Sequence, residues 1–129
     1  MDICGKNPEV RLDFTRKERK GFSEVIFCQG KSDSQIAKIA EDVLKSGVDT
    51  AFSRMTEEQS EIVSSVIQGF SYSPISRMGF TSFEPRQKRE SVIAVLSAGS
   101  TDVPAAEEAA SIAEFSGCKV LRFYDVGVA

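Results

Sequence analysis

The stretch from Ser91 to Ala109 reads SVIAVLSAGSTDVPAAEEA, and its order of residue types decides the architecture. Val92 to Leu96 is a continuous apolar run of strand length, the pattern of a strand buried within a parallel sheet. It empties into a small polar loop, Ser97-Ala98-Gly99-Ser100-Thr101-Asp102, which opens directly into an alanine-rich helical pattern. Pro104 suits a first helical turn, where its missing N–H costs nothing. Asp102 is a natural N-cap just before it. A helix is predicted over Val103 to Ser116 and a stop at Gly117, followed by a strand over Lys119 to Asp125. Strand, helix and strand in this order predict a parallel βαβ unit.

Upstream, Glu84 to Glu90 reads as a linker, with Pro85, five charges in seven residues and no apolar anchor. Before it, residues 22–83 read as a smaller α/β unit. Glu24 to Cys28 is strand-like, and Ser32 with Gln35 forms a capping box. Ile36, Ile39, Ala40, Val43 and Leu44 then fall on one helical face, closed by Gly47. Val48 to Met55 is a second strand pattern, and Thr56 with Gln59 is a second capping box. Ile62, Val63, Val66 and Ile67 supply the next apolar stripe, which Gly69 ends. Phe70 to Phe83 reads as extended, with Pro74 marking an edge strand or an early break.

The fold expected is therefore α/β. A helical segment over 1–21 precedes a βαβαβ domain over 22–83, the linker 84–90, and the first βαβ of a second parallel-sheet domain over 91–129. A two-stranded parallel unit cannot cover its own faces. It must lean on the first unit, on another copy, or on further sequence.

Composition narrows the function. The chain has 129 residues, 41% hydrophobic and 27% charged, as in a soluble globular protein. No apolar stretch approaches the ~20 residues of a membrane span, and Met1-Asp2-Ile3-Cys4-Gly5 lacks a signal-peptide pattern. Cys4, Cys28 and Cys118 are odd in number and widely spaced, so no disulfide framework is expected and a reducing cytoplasm is the expected compartment. The absence of histidine removes the commonest metal ligand and general base. A net charge of −3 argues against general nucleic-acid binding. Arg11, Arg16, Lys17, Arg19 and Lys20 cluster against Asp13 and Glu18. They read either as a solvated first helix or as a basic edge that meets a phosphate or a partner subunit.

The loop after the first strand of the second unit has the parts of an anion or ribose site. Gly99 allows close backbone approach, and Ser100 and Thr101 offer hydroxyls. A helix start presents N–H groups and the positive end of its dipole. Neither GxGxxG nor GxxxxGK[ST] is present. Glu107 and Glu108 are neighbours on a helix, about 100° apart, and read as acidic residues that complement the dipole. Cys28 and Cys118 abut apolar strands and read as buried, inert thiols. Arg54 and Arg77, near strand ends, read as ion-paired surface arginines with anion binding as the alternative.

AGSTDVPAAEEAA, followed after one helix by YDVGVA, resembles the front of the catalytic domain of the LarB family. That domain is related to the phosphoribosylaminoimidazole carboxylases (PurE), whose loop reads G-S-x-S-D at the same place. Leu12-Asp13 with Arg16 and Arg19, Gly21 to Ile26, Gly30-Lys31-Ser32 and Ser53-Arg54 resemble the amino-terminal domain of the same family, in family order. The resemblance implies a flavodoxin-like, PurE-like second domain. It also implies a carboxylase/hydrolase of nickel-pincer cofactor biosynthesis. That activity carboxylates the pyridinium ring of nicotinic acid adenine dinucleotide with CO2 or bicarbonate and hydrolyses its phosphoanhydride to release AMP.

By the same resemblance, Gly99, Ser100, Thr101 and Asp102 would line the ribose-phosphate, and Asp125, Gly127 and Ala129 would begin a second active-site loop. No tightly bound cofactor is implied, Mg2+ being a candidate for the full-length enzyme, and a homo-oligomer is expected, an octamer by family analogy. The family continues well beyond the VGVA segment to a nucleophilic cysteine that Cys118 does not match. The chain is therefore expected to be an inactive amino-terminal portion. Alternatives are a nucleotide-binding protein closer to the aminoimidazole carboxylases, or a non-catalytic α/β binding or assembly module.

Overall fold

Both capping boxes read from the sequence form, and they set the first two helices. The structure, a computed structural model, describes residue 12 and residues 24–127. The segment 1–21 apart from Leu12, with its basic cluster and Cys4, lies outside the described residues, as does Ala129. Helix α1 spans Asp33–Ser46. Ser32 Oγ accepts from the Gln35 amide at 3.3 Å, and Gln35 Oε1 accepts from the Ser32 amide at 2.8 Å. Helix α2 spans Glu57–Val66, with the same reciprocal pair between Thr56 and Gln59 at 3.1 and 3.0 Å. Gln59 also donates from Nε2 to the Cys28 and Lys31 carbonyls, which ties the start of α2 to the chain leaving the first strand.

The first sheet holds β1 (Val25–Phe27), β2 (Ala51–Ser53), β3 (Ser71–Ser73) and β4 (Met78–Phe80), in the order β1-β2-β4-β3. The pair β1–β2 is parallel, whereas β2–β4 and β3–β4 are antiparallel. The extended segment expected over Phe70 to Phe83 as a third strand is thus a hairpin of two strands, with the early break at Pro74. Pro74 cannot donate to a ladder, so it sits in the turn between β3 and β4 and the chain reverses there.

One face of this sheet buries Ile26 and Phe52 under Ile36, Ile39, Ala40 and Val43 of α1 and Val63 of α2. Phe70 meets Phe52 edge-on at 5.6 Å between ring centroids. Leu44, expected on the same face, is exposed. It lies about 100° around the helix from Val43, beyond the arc the sheet covers.

The second unit contains β5 (Val92–Leu96), a single 3-10 turn (Ser100–Asp102), α3 (Val103–Phe115) and β6 (Lys119–Phe123). Strands β5 and β6 pair in parallel from Val92↔Lys119 to Leu96↔Phe123. Helix α3 lies between the two sheets. Ala106 and Ala110 are buried, and Ala105, Glu108, Ala109 and Ile112 line an open cleft against Val25, Ser53, Arg54 and Met78 of the first sheet. An alanine-rich helix suits this position, because small side chains on more than one side let two sheets approach it. The second unit therefore leans on the first through α3, one of the three supports the sequence required.

The segment 84–90 is docked along the end of α3 and does not hang free as a linker. Arg86 lies 5.8 and 5.1 Å from the ring centroids of Phe80 and Phe115, which stack 5.1 Å apart across the two units. Arg89 donates from its amide to the Gly117 carbonyl and from Nε to the Ser116 carbonyl, both at 2.8 Å. The segment has no apolar anchor, but cations find aromatic faces and helix-end carbonyls instead.

Candidate functional site

The carboxyl ends of β5 and β6 lie side by side, and the chain leaving each one forms a loop at the same edge. The Ser97 amide donates to the Phe123 carbonyl at 3.0 Å, the Val126 amide to the Ser97 carbonyl at 3.1 Å, and the Gly127 amide to the Ala98 carbonyl at 2.9 Å. These bonds join Ser97 and Ala98, which lead into Gly99–Asp102, to Val126 and Gly127 of the second loop. In open α/β sheets, ligand crevices form at this edge, outside the carboxyl ends of parallel strands.

The first loop closes on itself. The Asp102 amide donates to the Gly99 carbonyl at 3.1 Å, and Asp102 Oδ2 accepts from the Gly99 amide at 3.2 Å. Asp102 was expected to cap α3. It stands at the N-cap position in right-handed helical conformation and makes no side-chain cap bond. The intervening 3-10 turn rotates its carboxylate back toward Gly99. Ser100, Thr101 and Asp102 are exposed and Gly99 is half-buried. In the second loop, Asp125 has φ +56°, a left-handed conformation that costs most residues energy and that Asp tolerates better than most.

A charged clamp stands behind the two loops. Arg122 Nε donates to Glu107 Oε2 at 3.0 Å and Arg122 Nη2 to Glu107 Oε1 at 3.1 Å, a bidentate pair, and Nη2 also reaches Glu114. The Tyr124 hydroxyl donates to Glu107 Oε2 at 2.6 Å. The Arg122 guanidinium, helped by the Tyr124 and Ser111 hydroxyls, holds the Glu107 carboxyl below its ordinary range against the opposing effect of partial burial. Glu114 and Glu107 together raise the pKa of Arg122, and partial burial, then the hydrogen bond to Glu107, raises that of Tyr124. Glu108 turns the other way and pairs with Arg54 of the first unit at 3.4 Å. The two glutamates thus hold α3 to both sheets. Arg122 and Tyr124 were not singled out from the sequence, although residues two apart on a strand share a face.

Cys28 is fully buried, and burial pushes its thiol up to about 11. Cys118 precedes β6 and so lies at the amino edge of the second sheet, opposite the loops. Among the described residues, no three Cys, Asp or Glu side chains gather as a metal site. No helix among them is long and apolar enough to cross a membrane.

Residues 7–83, more than half of the chain, match the model of the LarB/PurE-like N-terminal domain. The chain is also 29% identical over 129 aligned residues to an uncharacterized protein of Methanocaldococcus jannaschii. That alignment covers 93% of this chain and 49% of the relative, so the chain spans about half the length of the curated relative it matches. With the mixed α/β first unit described above, the match over residues 7–83 shows that this chain belongs to the LarB/PurE-like family and carries its amino-terminal domain.

Proposed function

We propose that residues 91–127 form the ribose-phosphate half of a nucleotide site in a carboxylase/hydrolase of the LarB type. In this reading the ligand is nicotinic acid adenine dinucleotide. Its pyridinium ring gains a carboxyl group from CO2 or bicarbonate, and water cleaves its phosphoanhydride to release AMP. The observation that carries the reading is the joining of Ser97 and Ala98, at the base of the Gly99–Asp102 turn, to Val126 and Gly127 by backbone bonds at the carboxyl edge of two parallel strands.

The residues of this chain would bind and orient the nucleotide. Ser100 and Thr101 supply hydroxyls, the start of α3 supplies amides and a favourable dipole for phosphate, and the exposed Asp102 carboxylate can accept from a ribose diol. No thiol among the described residues stands at this edge, so the chain is proposed to bind without turnover. The apolar face of the second sheet is proposed to support a homo-oligomer.

Calorimetric titration of the chain with nicotinic acid adenine dinucleotide tests the binding. Saturable binding that Asp102→Asn abolishes supports the reading, and an absence of binding overturns it. AMP release from the dinucleotide in the presence of bicarbonate and Mg2+ would overturn the proposal that this chain does not turn over.

A further inference from the structure

Ser97 directly follows β5 at the start of the first loop, and it is 7% exposed. Its Oγ is buried and finds no hydrogen-bond partner in the protein, a situation shared only with Ser76 in the β3–β4 turn among the described residues. A buried hydroxyl without a partner forfeits its hydration for nothing, so each such group calls for an explanation.

The direction of this hydroxyl follows from strand alternation. Arg122 of β6 and Tyr124 just after it reach Glu107 of α3, so their side of the sheet faces that helix. Val95 is registered with Arg122 and therefore points to the same side. Ser97, two residues on and still hydrogen-bonded to Phe123, points there as well. Its hydroxyl thus lies on the α3 side of the sheet, where the Gly99–Asp102 turn begins the helix. On one side of it Asp102 folds back onto Gly99. On the other the second loop is bonded to the Ser97 and Ala98 carbonyls.

We infer that Ser97 is a ligand-binding residue at the floor of this site, donating its hydroxyl to an oxygen of a phosphorylated ribose held at the start of α3. The inference rests on the nucleotide reading given above and adds to it a buried donor outside the Gly99–Asp102 and Asp125–Gly127 stretches. Two observations meet here: a helix start flanked by two joined loops, and an otherwise unused hydroxyl beneath them. Binding would give the hydroxyl its missing acceptor without rearranging the backbone, because the amide of Ser97 is already committed to β6 and its carbonyl to Val126 of the second loop.

The test uses ribose 5-phosphate as the probe, with the chain and its Ser97→Ala variant titrated by calorimetry and melted with and without the probe. The expected result is that Ser97→Ala weakens binding about tenfold or more, while its melting temperature without probe is unchanged or slightly higher. Equal affinity of the two proteins would overturn the role of Ser97 and leave the nucleotide site standing. A clear loss of melting temperature in the probe-free variant would also overturn it, since the hydroxyl would then serve the fold. Failure of both proteins to bind either ribose 5-phosphate or the dinucleotide would overturn the role and the site together. Binding of ribose 5-phosphate in a Ser97-dependent way, with none of the dinucleotide, would support the role and refute the dinucleotide as substrate.

Discussion

Arg122 holds Glu107 through two parallel hydrogen bonds, Nε to Oε2 at 3.0 Å and Nη2 to Oε1 at 3.1 Å. The pair joins the end of β6 to the first turns of α3, so the two loops of the candidate site share one support. With Tyr124 on the same carboxylate, the chain entering the second loop is anchored to the helix that the first loop begins. Bidentate arginine–carboxylate pairs add geometric specificity as well as energy, and here the geometry fixes the spacing of two loops.

Glu107→Gln should destabilise the chain by about 1 kcal/mol at neutral pH, because the pair is partly exposed. The sign with pH follows from the lowered carboxyl. Its stabilisation is fully present above the ordinary glutamate range, about 4.3, and is lost as pH falls through the lower folded value. Urea unfolding of both proteins should show a gap at pH 7 that closes below about pH 4. A gap that does not change with pH would count against the clamp.

Cys28 should resist alkylation in the folded chain. Its thiol is fully buried and raised to about 11, so little thiolate exists at pH 8 and reagent cannot reach it. Cys118 is only half-buried. Peptide mapping after iodoacetamide treatment should find Cys118 labelled under native conditions and Cys28 only after denaturation.

Gly117→Ala should destabilise the docked segment by about 1–3 kcal/mol. Gly117 has φ +96°, and a Cβ there would stand 2.1 Å from the Gln87 carbonyl oxygen. Both the backbone strain and the clash push residues 84–90 off the end of α3. Limited proteolysis should then cut at Arg86, Lys88 or Arg89 faster than in the parent chain, together with a lower denaturation midpoint.

The uncovered side of the second sheet should make the chain self-associate. Arg122 and Tyr124 face α3, so strand alternation puts Leu121 and Phe123 on the opposite side, with Val92 and Leu96 beside them. All four are exposed, and contiguous apolar faces of this kind are rare on monomers. Light scattering should show oligomers of the parent chain, and Leu96→Lys with Phe123→Lys should shift them toward monomer. A parent chain that is a clean monomer with a cooperative melt would refute the prediction.

Much of this fold was legible locally. The two capping boxes, the αL stop at Gly47 (φ +64°) and the β5–loop–α3–β6 order all form where residue type and spacing indicate. The departures each have a tertiary cause. Leu44 matched the helical stripe but fell outside the arc covered by the sheet. The segment 84–90 read as a linker because its partners are aromatic rings, Phe80 and Phe115, that only the packing of the two units brings together under Arg86. Asp102 carried the right residue type for a cap, but the 3-10 turn gave its carboxylate to Gly99.

Propensity, capping and periodicity act over a few residues, and that range was enough to define the elements and the loop that opens α3. Register and packing act between residues far apart in the chain. They paired the Phe70–Phe83 hairpin with β2, set α3 between two sheets through Glu107 and Glu108, and brought Val126 and Gly127 against Ser97 and Ala98 at the base of the Gly99–Asp102 turn. A loop motif specifies which atoms a site offers. The pairing of β5 with β6 specifies which other atoms stand beside them, because one ladder register aligns the carboxyl ends of both strands at a single edge.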